Sequence, residues 1–432
     1  RLVGSEMCIR DRFVISLLFF LQTLLAQIEP VKDIHINKPR VWALTHGMIH
    51  TEPGDFIKDG TIVIRDGKIE KVGRYIKVPL DAYEIDLEGA HVYAGYIHSW
   101  LTVKQDEKTT SPSQHWNSKV RADYRAKDDL KIKEKDLKAL HSVGMTAAHI
   151  VPEKGIIKGQ SDLVVLSKEP VSVSESVAQV LEFKTSNWSD REYPNSLLGT
   201  IALIRQTIMD ADWYQKARTV AKKFPTDNEP VKYNASLETL EKFRANRLPM
   251  LFMTNHEHTA IRALNICDEF NLNPWLLGSG FEYRRLEDIA KLKPFIILPL
   301  DFPAKPRVTD PFTALQYDTE QLKHWDLAPD NIARIQDKGL FFSLSAHGLK
   351  NKTQFRTNLK RIIDRGFSKD VALAALTTYP AEAMGVSKTL GKVQPGYMAN
   401  LVIVDGNYFD PKSRITSVCV GGEEYFVATK KS

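Results

Sequence analysis

The stretch Ala94-Gly95-Tyr96-Ile97-His98-Ser99-Trp100-Leu101-Thr102 carries the fold of this chain. Together with His91-Val92-Tyr93 it makes an apolar run broken by one glycine, the pattern of a first buried strand. Working outward from it, Arg40 to Ile85 reads as short strands with turns between them. Trp42-Ala43-Leu44-Thr45 alternates, and Gly60 to Ile69 reads as strand, Asp66-Gly67 turn and strand, a strong hairpin signal.

On the other side, strand and helix patterns alternate. A charged helix ends near Val143 with Gly144 as its C-cap, and Met145 to Val151 follows as a short apolar strand. Helical spacing marks Leu197–Lys222, Ser236–Ala245, Ala260–Phe270, Glu282–Leu292, Asp330–Asp337 and Thr353–Arg365. Short apolar runs lie between them at Pro249–Met253, Pro274–Leu277, Phe295–Leu300 and Leu340–Leu344. Such alternation implies parallel strands joined by crossovers, and about eight units fit between His91 and Gly385. The expected fold class is therefore α/β: a (β/α)8 TIM-like barrel over 91–385, with a small β-sandwich built from both chain ends, 30–90 and 386–430. An open doubly wound sheet is the runner-up, disfavoured because no Gly-rich dinucleotide turn follows the first strand.

Two stretches resemble the amidohydrolase superfamily. Ile57 to Gly73 is similar to its N-terminal β-domain signature; Thr377 to Gly385 and Leu390 to Asp405 are similar to its C-terminal one. The likeness runs from about Arg40 to Val427 and is nearest the imidazolonepropionase-related branch. Leu198 to Gln206 with Ala211-Asp212-Trp213-Tyr214 also resembles the degenerate first half of long exported proteins that carry two such units. The resemblance implies metal-assisted hydrolysis of non-peptide C–N bonds, with one or two divalent ions polarising the carbonyl and activating a water. It also implies a ligand set: two His after the first strand, one after the fifth, one after the sixth, and an Asp after the eighth.

Against that pattern, Trp100 and Thr102 stand where the first two histidines belong, and His98 replaces the Asp before them. Met253 or Thr254 takes the fifth-strand position and Gly278 or Ser279 the sixth. His347 occupies the place of the Asp. A zinc site needs three or four well-placed N, O or S donors, and none of the five usual ligands is in its place. The resemblance thus implies a scaffold, a ligand-binding barrel or the partner half of a second amidohydrolase unit further along the same polypeptide. The alternative is an active C–N hydrolase using zinc or another divalent metal at a rearranged or single-metal site around His347.

Residues that could rescue chemistry are few. His256-Glu257-His258 offers a His-x-His, but Asn255 reads as an N-cap, and residues two apart in a first helical turn do not face each other. His98, His149, His256 and His347 could gather at the mouth, where imidazoles would suit a transition metal. Asp301, after the seventh strand, lies at the mouth as well. No Gly-x-Ser-x-Gly elbow is present.

Composition adds limits. The 59 basic and 53 acidic side chains leave a net charge of +6, too small and unclustered for a nucleic-acid partner. Lys119 to Lys138 alternates in sign and reads as a solvated helix face. Cys267 and Cys419 are far apart, and two cysteines make neither a disulfide scaffold nor a Cys-type zinc site. Residues 1–12 read as a sequencing-adapter artefact, and Phe13 to Ala26 reads as the apolar core of a signal peptide, which would make the protein exported, periplasmic or secreted. The ligand and any oligomeric state are not legible here.

Overall fold

The computed structural model describes residues 40–105, 115–185, 192–226 and 229–427. The adapter-like segment, the signal-like segment and Cys8 lie outside these. Two eight-stranded sheets organise the described residues.

The first sheet draws on both chain ends. It runs β16 (Glu423–Phe426), β15 (Ile415–Val420), β14 (Leu401–Val404), β5 (His91–Ala94), β1 (Val41–Glu52), β2 (Asp55–Arg65) and β3 (Lys68–Gly73), with β4 (Tyr83–Asp86) pairing alongside β1. These strands pair as one continuous sheet; a two-layered sandwich is not defined by the pairing. The expected hairpin forms as β2–β3. Asp66 and Gly67 turn at φ 47° and 77°, the double positive φ that makes Asp-Gly a favoured hairpin turn. Leu44, Ile49, Ile62, Ile64, Val92 and Leu401 bury one face of this sheet.

The second sheet is a nearly closed barrel in the order β6 (Tyr96–Val103), β7 (Met145–Pro152), β8 (Ile157–Val165), β9 (Val171–Glu182), β10 (Pro249–Met253), β11 (Asn273–Leu277), β12 (Phe295–Pro299) and β13 (Phe342–Ser345). β6 and β13 face each other across the remaining seam. The expectation of eight strand–helix units needs correction. β8 is antiparallel to both of its neighbours, and β7, β8 and β9 follow one another without intervening helices. The turn after Val165 is too short for a crossover, so the chain must double back. From β9 to β13 all pairing is parallel, with the helices Leu197–Lys223, Ala235–Ala245, Glu257–Glu269 and Leu286–Ala290 in the connections. No helix among the described residues is long and apolar enough to cross a membrane.

The charged stretch from Lys119 also departs from expectation. Only Glu134–His141 is α-helix; before it the chain is irregular, with one 3-10 turn at Ala126–Asp129. Val120, Ala122 and Ala126 are fully buried, and bridges join Val120 to Ile157 and Arg125 to Gln160. Those small apolar residues anchor the segment along β8, and its charges are held in pairs, with Arg125 on Asp162 and Glu175 and the Tyr124 hydroxyl on buried Asp129.

Gly95 joins the two sheets. A Cβ there would lie 2.0 Å from the Thr146 hydroxyl, so only glycine lets β6 start this close to β7.

Candidate functional site at the barrel mouth

β6 delivers the decisive residues. Its register against β7 slips by one residue between His98 and Leu101, a bulge that re-aims the side chains beside it. His98 turns into the barrel, where its Nδ1 lies 3.3 Å from the Trp100 backbone N–H and 3.4 Å from the Ser345 hydroxyl on β13. Trp100 is 1% exposed and is the largest fully buried side chain described. Its indole N–H donates to the Thr102 hydroxyl at 3.1 Å, and its ring meets His347 edge-on, with centroids 5.5 Å apart. The indole is thus packed and hydrogen-bonded, with its one donor used.

His347 follows β13 and is half-buried; its backbone N–H donates to Ser345 Oγ at 3.1 Å. Burial and the Lys352 ammonium both lower its pKa. His98 is pushed down to about 3 by burial, with the Lys352 ammonium adding positive potential. Lys352 donates to the carbonyls of Ala346 and Leu349, and burial lowers its own pKa. Asp301 packs against Gly348, where its carboxylate is raised by burial and partly held down by Lys352. Asp301 and His347 line a cavity of about 220 Å³ together with Ser279, His324 and Asn331.

His149, on β7, is fully committed inside the wall. Its Nδ1 faces the Ser99 carbonyl at 3.1 Å and its Nε2 faces the Ser161 hydroxyl at 2.7 Å. A carbonyl only accepts, so Nδ1 carries the proton, while Nε2 faces a Ser161 hydroxyl that also reaches the Ala178 carbonyl at 3.0 Å. Burial pushes its pKa down to about 4, and the ring stays neutral.

The fifth and sixth strands end in groups that serve the backbone. Met253 is half-buried, and the Thr254 hydroxyl donates to the Leu277 carbonyl at 2.5 Å. Gly278 continues the ladder by donating to Ile297. Ser279 donates from backbone and hydroxyl to Glu282 Oε1, at 2.6 and 2.9 Å. Glu282 is fully buried, and its other oxygen receives Asn331 at 2.7 Å.

The four histidines expected to converge do so only in part. His98 and His347 meet around Ser345, whereas His256 makes its contacts on the rim. There the helix start differs from the sequence expectation: His256, not Asn255, is the N-cap, at φ −162°. That extended residue lets His256 and His258 stack, with centroids 5.3 Å apart, which two residues inside a helical turn could not do. One ligand atom from each of His256, Glu257 and His258 lies within 4.8 Å of the others. Phe281 stacks on His256, and His324 stacks on Phe281 at 3.7 Å.

Glu257, Glu282, His324 and Lys352 had no role assigned from the sequence. Glu282 carried a local signal, since Ser-x-x-Glu is a capping pattern. Lys352 sits in a polar loop and His324 in a stretch of unclear periodicity, so neither was readable. Cys267 and Cys419 are both free and buried.

Residues 330–427 match the model of the Amidohydrolase family. No curated protein matches the sequence. Among solved structures, an amidohydrolase from Thermotoga maritima MSB8 superposes with a TM-score of 0.70 at 21% identity, covering 89% of this chain and 99% of that one. A prolidase in complex with N-methylphosphonate-L-proline gives 0.54 at 15%, covering 89% and 99%. A Xaa-Pro dipeptidase with bound methionine gives 0.52 at 11%, covering 89% and 100%. At such identities the likeness is one of fold. Residues 330–427 thus carry the sequence pattern of the Amidohydrolase family, and the described residues share the fold of these solved structures.

Proposed function

We propose that this unit is a non-catalytic member of the superfamily, serving as a scaffold or partner half for a second amidohydrolase unit in the same polypeptide. The observation that carries this is Trp100: a buried indole, bonded to Thr102 and packed on His347, stands where the resemblance places metal ligands. The donor set there does not fit a divalent ion. Indole N–H and lysine ammonium donate and cannot ligate. The Thr254 hydroxyl is engaged with Leu277, and His149 has both ring nitrogens committed.

The finer placement, as a degenerate first half near the imidazolonepropionase-related branch, belongs to the same proposal, as does export through the signal-like segment Phe13 to Ala26. The test is hydrolysis by the purified full chain, supplied with Zn²⁺, Mn²⁺ or Co²⁺, of N-acyl amino acids and Xaa-Pro dipeptides. The proposal expects no turnover above buffer. Turnover that disappears in His347→Ala would overturn it.

One arrangement favours a second reading, an active hydrolase with a rearranged site. His347 and Asp301 line the same cavity, with Lys352 close enough to influence both. That reading predicts activity that depends on both residues.

A further inference from the structure

On the rim, Glu257 is 4% exposed, yet its Oε2 has no hydrogen-bond partner among the described residues. His256 Nδ1 lies 2.7 Å from that oxygen, but not in the geometry of an N–H···O bond. Arg284 approaches the other oxygen only to 3.6 Å and gives its closer contact, 2.7 Å, to Glu320. A buried carboxylate oxygen without a donor is costly, and here it is aimed at two imidazoles.

We propose that His256, Glu257 and His258 form a binding site for a divalent transition-metal ion of the zinc class, outside the barrel interior. Two imidazoles and one carboxylate are a donor set that zinc accepts, at about 2.0–2.2 Å. Ligand atoms around a tetrahedral ion stand about 3.4 Å apart. The three donors, already within 4.8 Å, need only small side-chain rotations to reach that spacing. The ion would satisfy the orphaned Oε2. The helix N-terminus opposes a cation with a partial charge, and the full charge of Glu257 outweighs it. Phe281, stacked on His256, fixes one ring; His258 is exposed and leaves the remaining coordination positions to solvent. The stacked pair, half-buried at His256 and exposed at His258, thus has a role that a buried core histidine does not.

The inference does not rest on the non-catalytic reading, and the two fail separately. The test is calorimetric titration of the metal-free full chain with Zn²⁺, and with Co²⁺ followed by visible absorption. One equivalent should bind, with cobalt bands of a four- or five-coordinate N/O site. His258→Ala, at an exposed position that leaves the fold intact, should weaken binding at least about tenfold, and Glu257→Gln should do likewise. His347→Ala should leave it unchanged. Absence of stoichiometric binding, or binding that survives His258→Ala, would overturn the proposal.

Discussion

Inside the barrel mouth, His98, His149 and His347 sit behind or against Trp100, each held by a hydroxyl, a carbonyl or an aromatic edge. On the rim, His256 and His258 stack in partial contact with solvent around a buried carboxylate whose Oε2 makes no hydrogen bond among the described residues. Both groups follow barrel strands, and they differ in what their nitrogens are doing. The interior imidazoles are neutral parts of the packing, pushed to acid pKa values by burial. The rim imidazoles stack on each other, and His256 Nδ1 approaches Glu257 Oε2 at 2.7 Å. Availability of the lone pair, more than the number of histidines, separates a packed wall from a site that can take a ligand.

Removing Trp100 should produce the largest effect. Trp100→Ala removes a fully buried indole and leaves a void in its place, which should cost about 3–5 kcal/mol in chemical denaturation. A loss under about 1 kcal/mol would mean the indole does not hold the mouth together. Next comes acid. His149 and His98 have folded pKa values near 4 and 3 against 6.5 in the unfolded chain. The unfolded state therefore binds more protons below pH 6.5, and stability that is complete above that value is lost as pH falls toward 4. Denaturation midpoints at pH 7.5, 5.5 and 4.5 should fall steadily, by a few kcal/mol in all; a flat profile would show these rings already solvated. Thr102→Val removes only the acceptor of the indole N–H and should cost about 1 kcal/mol or less. Smallest is His258→Ala, which should change metal-free stability by no more than about 0.5 kcal/mol, because the ring is exposed. A larger loss would recast the rim histidines as packing.

Much of the frame was legible from periodicity. The strands β7, β10, β11, β12 and β13 and the long helices fell close to their expected places, because apolar runs and amphipathic spacing are local properties. The β8–β9 hairpin was not found. Its strands mix serine, glutamine and aspartate with valine, and these polar groups are buried through partners distant in sequence. The mouth was legible as a set of substituted positions, while the bulge that aims Trp100 at His347 depends on inter-strand register. At the rim, a shift of one residue in the N-cap turned two histidines expected to point apart into a stacked pair. A propensity for capping shared by Asn255 and its neighbours cannot fix such a boundary to one residue.

The most direct test of a closed interior uses the rim-deleted variant His256→Ala/His258→Ala in the full chain, measured for bound zinc by elemental analysis after metal-supplemented expression and for hydrolysis of Xaa-Pro dipeptides. The account predicts no retained metal and no turnover. Near-stoichiometric zinc with turnover, both abolished by adding His347→Ala, would contradict it.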